Sequence, residues 1–297
     1  MAIVLGANQY GKAEVRLLHV SRDDTTHVIR DLNVTVTLSG DLAATHLTGD
    51  NTAVLTTDAQ KNAVFAFAKE YGVDQIEDFA LLLARHFVDS QAAISFARIT
   101  VEQYPWERLG AHSFCRSGRE VRTAMVSCDG RGSWVVSGLR DLILLNSAGS
   151  EFWGFARDRY TTLAETTDRI LATAVNARWR HARPVTQEPG SEGPLGSTPD
   201  WADSYCAARD LLLAAFAETH SYSLQQTLFA MGQRVLEGRP EIAEIRLALP
   251  NKHHFEVDMS PFGLDNSGEV FYAADRPYGL IEGTVTRDDA PPAGKAW

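Results

Sequence analysis

Two neighbouring histidines, His253 and His254, sit in the run Leu249-Pro250-Asn251-Lys252-His253-His254-Phe255 and invite a metal-binding reading. In an extended strand, neighbouring side chains point to opposite faces, so the pair cannot easily grip one ion. The same parity groups Asn251 and His253 with Leu249, Phe255 and Val257, and places Lys252, His254, Glu256 and Asp258 on the charged face. A regular strand would therefore turn Asn251 and His253 inward, where a histidine satisfied by hydrogen bonds is the plainer reading. Arg169 shares parity with Leu171, Val175 and Trp179, and an inward guanidinium needs a carboxylate, a carbonyl or an anionic ligand. Thr57-Asp58 and Leu224-Gln225 each stand at the start of a helical pattern. Capping explains such residues, and free backbone N–H groups at a helix start also suit an anion. Cys115, three positions from His112, reads as a packed or solvent-facing thiol and not as a nucleophile.

Signature motifs of common chemistries are absent. There is no GxxxxGK[ST] phosphate loop, no GxGxxG fingerprint, no GxSxG nucleophile elbow and no HExxH helix.

The elements that must position these residues follow from periodicity. Over 31–38, Leu32, Val34, Val36 and Leu38 alternate with Asp31, Asn33, Thr35 and Thr37, the pattern of a half-buried antiparallel strand that 14–21 can pair with. Apolar residues at helical spacing predict helices over 58–71 and 75–88, with Thr57/Gln60 and Asp74/Glu77 as capping boxes. Strands are expected at 93–101 and 120–127. The order then repeats: strands at 133–146 and 169–180, helices at 201–216 and 224–236, and strands at 242–249, 253–258, 269–273 and 280–286. Ser223 with Gln226 marks the second of these helices with a further capping box. Both halves read as β-β-α-α-β-β, an α+β class with antiparallel sheets, split as 1–130 and 131–297. A Pro/Gly-rich surface loop is expected at 184–200 and a loosely held tail at 288–297.

Composition excludes several classes. The 297 residues carry 28 Lys+Arg against 38 Asp+Glu, a formal charge of −10, which argues against broad adhesion to nucleic acid or an anionic membrane. At 44% hydrophobic and 22% charged residues the chain is a folding one, not a disordered one. Three cysteines without CxxC spacing form no disulfide framework, and no apolar run reaches the ~20 residues of a membrane span. With no signal-peptide pattern, a cytoplasmic location is expected.

Taken in order, longer motifs resemble the urate oxidase (uricase) family along nearly the whole chain. They are Tyr10-Gly11-Lys12 before Val15-Arg16, Gly49-Asp50-Asn51 before Thr57-Asp58 and Lys61-Asn62, and Ser150-Glu151-Phe152-Trp153-Gly154-Phe155 before Asp168-Arg169-Ile170-Leu171. Phe216-Ala217-Glu218, Gln225 before Thr227, and Leu249-Pro250-Asn251-Lys252-His253 complete the set. The departures are Leu224 in place of a commoner Val and a longer 184–200 stretch. The resemblance implies two tandem tunnelling-fold repeats assembled as a barrel-like homotetramer. It implies active sites shared between subunits, with Lys12, Thr57 and Asp58 from one chain facing Phe152, Arg169, Leu224, Gln225, Asn251 and His253 of another. It also implies conversion of urate, O₂ and water to 5-hydroxyisourate and hydrogen peroxide with no metal or organic cofactor. In that reaction Lys12, Thr57 and His253 form a proton relay, while Arg169 and Gln225 clamp a urate stacked on Phe152. Asn251, with Thr57, is implied to bind oxygen and then water above the ring. A purine- or pterin-binding protein without oxidase activity and a metal-dependent oxidase using His253 and His254 are the competing readings.

Overall fold

A computed structural model describes residues 1–22, 25–185 and 198–297. The chain runs β1 (Tyr10–Ser21), β2 (Val28–Gly40), α1 (Ala43–Leu47), α2 (Thr57–Glu70), α3 (Ile76–Ser90), β3 (Ile94–Tyr104), β4 (Trp106–Arg108), β5 (Phe114–Arg116) and β6 (Val121–Cys128). It continues through β7 (Ser133–Asn146), β8 (Leu171–His181), α4 (Trp201–Glu218), α5 (Leu224–Gly238), β9 (Ile242–Glu256) and β10 (Phe271–Thr286). Setting aside the short α1 and the β4–β5 pair, each half follows the β-β-α-α-β-β order, and every strand pair with a recorded register is antiparallel. Residues 186–197, the centre of the expected Pro/Gly-rich loop, lie outside the described residues.

Two compact units result. The first comprises Met1–Gly138, Trp179–Tyr205 and Asp289–Trp297, and the second Leu139–Arg178 and Cys206–Asp288. In the first, β1-β2-β3-β6 are successive neighbours and β7 follows β6. The alternation in β2 does what period two demands: Leu32, Val34, Val36 and Leu38 are all at most 1% exposed. They face α3, which packs across β3 and β6, and α2, which packs across β1. In the second, β7-β8-β9-β10 are neighbours, and α5 packs on β9 and β10. That approach is close at Gly232, where a Cβ would lie 2.5 Å from Val285.

Three expectations require correction. Asp31, assigned to the polar face of β2, is buried, because Arg16, Arg116 at 3.3 Å and the Trp106 indole at 3.0 Å close over its carboxylate. The expected pairs 242–249/253–258 and 269–273/280–286 are instead single strands, β9 and β10. Pro250 stays in the ladder opposite Leu280, and the irregularity falls on β10 between Ala274 and Gly279. Asp74 and Glu77 form no capping box: α3 starts at Ile76, one position later than that pairing needs, with no side-chain cap. Glu77 is instead fully buried, with Arg122 Nη2 at 2.7 Å and Ser137 Oγ donating to it at 2.7 Å. Burial pushes its carboxyl above the ordinary carboxylate range, against the pull of Arg122.

Because Glu77 has no water to fall back on, Arg122→Leu leaves a lone buried acid and is expected to cost about 3–5 kcal/mol in urea unfolding. Adding Glu77→Gln should recover part of that loss.

Candidate active site

The first half-site grows from β1 and the start of α2. Gly11 lets the strands close up: a Cβ there would sit 1.9 Å from the Val36 carbonyl oxygen. Lys12 follows, half-buried opposite Val36, and immediately afterwards the ladder shifts register between Lys12 and Val15. Within that bulge Glu14 takes a left-handed φ of 57°, and its N–H donates to Thr35 Oγ1 at 3.1 Å. Tyr10 and the buried Gln60 both donate to the Leu55 carbonyl, at 3.0 and 3.2 Å, fixing the segment that enters α2 beside β1. The cap of α2 is Thr56, not the expected Thr57: Thr56 Oγ1 accepts from Ala59 N at 3.1 Å. Thr57 is thereby spared capping, and the first amides of the helix, those of Thr57 and Asp58, have no intrahelical acceptor. Asp58 holds Lys61 at 2.5 Å and Asn62 at 3.0 Å. The Lys61 hydrogen bond and charge, and more weakly Lys12, hold its carboxyl below the usual aspartate range.

The second half-site is built in the second unit. Arg169 precedes β8 and is not part of it, so strand parity does not orient it. Its Nε donates to Ser150 Oγ at 3.3 Å, and its guanidinium carbon stands 4.8 Å from the Phe152 ring centre. Burial lowers its pKa from the ordinary arginine value. Phe152 is held by paired backbone bonds with Thr166, at 2.8 and 3.0 Å, and stacks on Phe155 at 5.0 Å. At the start of α5, Ser223 caps as expected: its Oγ accepts from Gln226 N at 3.1 Å, and Gln226 Oε1 accepts from Tyr222 N at 2.8 Å. Leu224 is buried, at 3% exposure, and Gln225 beside it is exposed. The two helix starts repeat one another, with Thr56 before Thr57-Asp58 and Ser223 before Leu224-Gln225.

Asn251 and His253 flank a second break in register. Asn251 pairs with Gly279 and His253 with Ala274, so the extra residues of β10 bulge out beside them. The expected alternation of inward and outward faces does not hold at this break: Asn251, Lys252, His253 and His254 are all half-buried, while Phe255 is 53% exposed. The His253 ring stacks at 5.8 Å on Phe255, and His254 Nδ1 lies 3.1 Å from the Lys252 carbonyl. Among the described residues, no group of three His, Cys, Asp or Glu side chains is placed to hold a metal ion. The three cysteines are free thiols. Sequence reasoning did not anticipate the two bulges, nor the links through Glu151, Ser221 and His220 that tie the Phe152 segment to the start of α5.

Two β-β-α-α-β-β units, each with a bulged strand beside a capped helix start, define a tunnelling-fold protein whose guanidinium, amide and aromatic groups suit a flat polar ring. Comparison with known proteins narrows the class. The uricase family model matches residues 8–127 and 135–282, and the chain belongs to the uricase family. The uricase of Arthrobacter globiformis is 50% identical over 297 residues, covering 99% of this chain and 94% of that one. The uricase of Emericella nidulans is 37% identical, covering 95% and 97%. The crystal structure of the Arthrobacter globiformis uricase matches with a TM-score of 0.91 over 98% of both chains. No helix among the described residues is long and apolar enough to cross a membrane.

Since Ser223 both caps α5 and shapes the turn before Gln225, Ser223→Ala should lower stability by roughly 1 kcal/mol in chemical denaturation. Ser223→Thr should lose much less.

Proposed function

We propose that this chain oxidises urate with O₂ and water to 5-hydroxyisourate and hydrogen peroxide, without metal or organic cofactor. The observation that carries this reading is the family match over both halves of the chain, which takes in all nine candidate residues from Lys12 to His253. Urate is a planar anion rich in carbonyls. Arg169 offers a rigid two-pronged donor to one edge, Gln225 a donor and an acceptor to the pyrimidine side, and Phe152 a face for stacking. The unclaimed amides of Thr57 and Asp58, at the positive end of α2, meet the five-membered ring. Leu224 adds backbone and wall.

Chemistry then needs a proton removed and electrons passed on. Lys12, Thr57 and His253 form the relay that takes the proton, with Thr57 nearest the substrate. The resulting dianion gives two electrons to O₂, which leaves with two protons as H₂O₂, and water adds to the oxidised ring. Asn251 holds first oxygen and then water, its amide donating to the charge that develops.

Lys12, Thr57 and Asp58 belong to one unit and the other six residues to the second. In this reading the working site forms between subunits of a homotetramer, where the first half-site of one copy meets the second half-site of another.

Urate loss and peroxide release are expected in air, to cease without oxygen and to survive chelation; Arg169→Lys should weaken both binding and turnover, because an ammonium cannot reproduce the fork. A protein that leaves urate unchanged in air contradicts the reading. For the shared site, Thr57→Ala and Arg169→Ala subunits should each be inactive, yet recover activity when co-assembled, since some interfaces then hold two intact halves. Absence of recovery in verified mixed tetramers argues for a site within one chain.

A further inference from the structure

Glu151 stands between the two residues that meet Arg169 but turns away from them. Ser150 accepts from Arg169 Nε at 3.3 Å, and Phe152 lies beneath its guanidinium. Alternate side chains of an extended segment face opposite ways, and Glu151 faces the segment that leads into α5. Its Oε1 lies 2.8 Å from His220 Nε2, and its Oε2 accepts from Trp153 Nε1 at 2.7 Å. Since a carboxylate only accepts, the imidazole N–H donates. The hydrogen bonds from Trp153 and His220 hold the Glu151 carboxyl below the usual glutamate range.

The far side of this contact is tied by hydrogen bonds. Glu151 N donates to the Ser221 carbonyl at 2.7 Å, and Ser221 N to the Gly149 carbonyl at 3.0 Å. Ser221 Oγ donates to the Ser223 carbonyl at 3.1 Å, and Thr227 Oγ1 donates to Ser221 Oγ at 2.8 Å. A continuous set of bonds thus runs from the Phe152–Arg169 wall to the first turn of α5, which carries Gln225. The Glu151–His220 contact is its side-chain member. At 20% and 49% side-chain exposure, that contact adds little to global folding.

We infer that Glu151 and His220 are positioning residues that hold the Phe152–Arg169 wall against the start of α5 and so set the spacing of the clamp. This rests on the clamp being the urate site. A loosened clamp loses interactions made alike with substrate and transition state, so the defect falls on KM and leaves kcat in place.

The test compares His220→Phe, which keeps a ring and deletes the donor, with His220→Gln, which restores one. Each is assayed for steady-state urate oxidation, anaerobic urate binding and thermal unfolding in the assembled protein. His220→Phe should raise KM and the anaerobic Kd about tenfold, with kcat within about twofold and Tm unchanged, and His220→Gln should stay within about threefold of the parent. Unmoved KM and Kd in His220→Phe overturn the inference, as does a fall in kcat that tracks a lowered Tm. If His220→Phe does not fold, Glu151→Gln is judged by the same KM, Kd and Tm outcomes. A parent that binds and oxidises urate beside unaffected variants removes only the positioning role. A parent that neither binds nor oxidises urate removes the clamp reading and this inference with it.

Discussion

A strand with one face on a core cannot slip by a single residue without turning its apolar side chains to water, and most of this chain obeys that constraint. β2 obeys it from Leu32 to Leu38, pairing with β1 on one side and β3 on the other, and its ladder with β3 shifts only at its end, between Ser39 and Gly40. Register breaks where β1 passes Lys12 and where β10 passes Asn251 and His253. At each break the ladder gives up regular pairing, and polar side chains gain a setting that a flat sheet denies them. The candidate chemistry therefore sits where the sheet relaxes, while the regular stretches on either side keep those places fixed.

Helix starts supply the second ingredient. α2 and α5 are each capped by a small hydroxyl residue that satisfies the third amide, leaving the first two unclaimed. In α2 this leaves Thr57 with no structural duty at its hydroxyl, and in α5 it places Gln225 at the exposed first turn. One local design, written once with Thr56 and once with Ser223, thus recurs at both helix starts.

Much of this was legible in the sequence because it rests on short-range rules. The alternation in β2, the limits of β7 and the cap at Ser223 depend on neighbours within a few positions. The misreadings share a different cause. Asp31 and Glu77 look like solvent-facing or capping acids until distant arginines, Arg116 and Arg122, fold onto them. The parity of Arg169 failed because a pattern of apolar residues does not say where a strand stops. The bulges were invisible because an extra residue in a ladder is a property of two strands, and Glu14 gives no glycine signal for its left-handed backbone. The motifs shared with the uricase family covered what periodicity could not, since they carry the outcome of such long-range contacts without deriving it.

The composition of the first unit has a consequence for how the chain comes off the ribosome. Trp201 is buried among residues of that unit's core, and Ala296, also fully buried, belongs to it as well. Arg98 donates to the Trp297 carbonyl oxygen at 2.8 Å, and Lys295 reaches Asp129 at 3.4 Å. At roughly 5–20 residues per second, about 8–30 s separate the synthesis of Gly138 from that of Asp289. Throughout that interval the first unit exists without Asp289–Trp297, and for the early part of it also without Trp179–Tyr205. A cut near residue 297 therefore reaches the unit that was begun first.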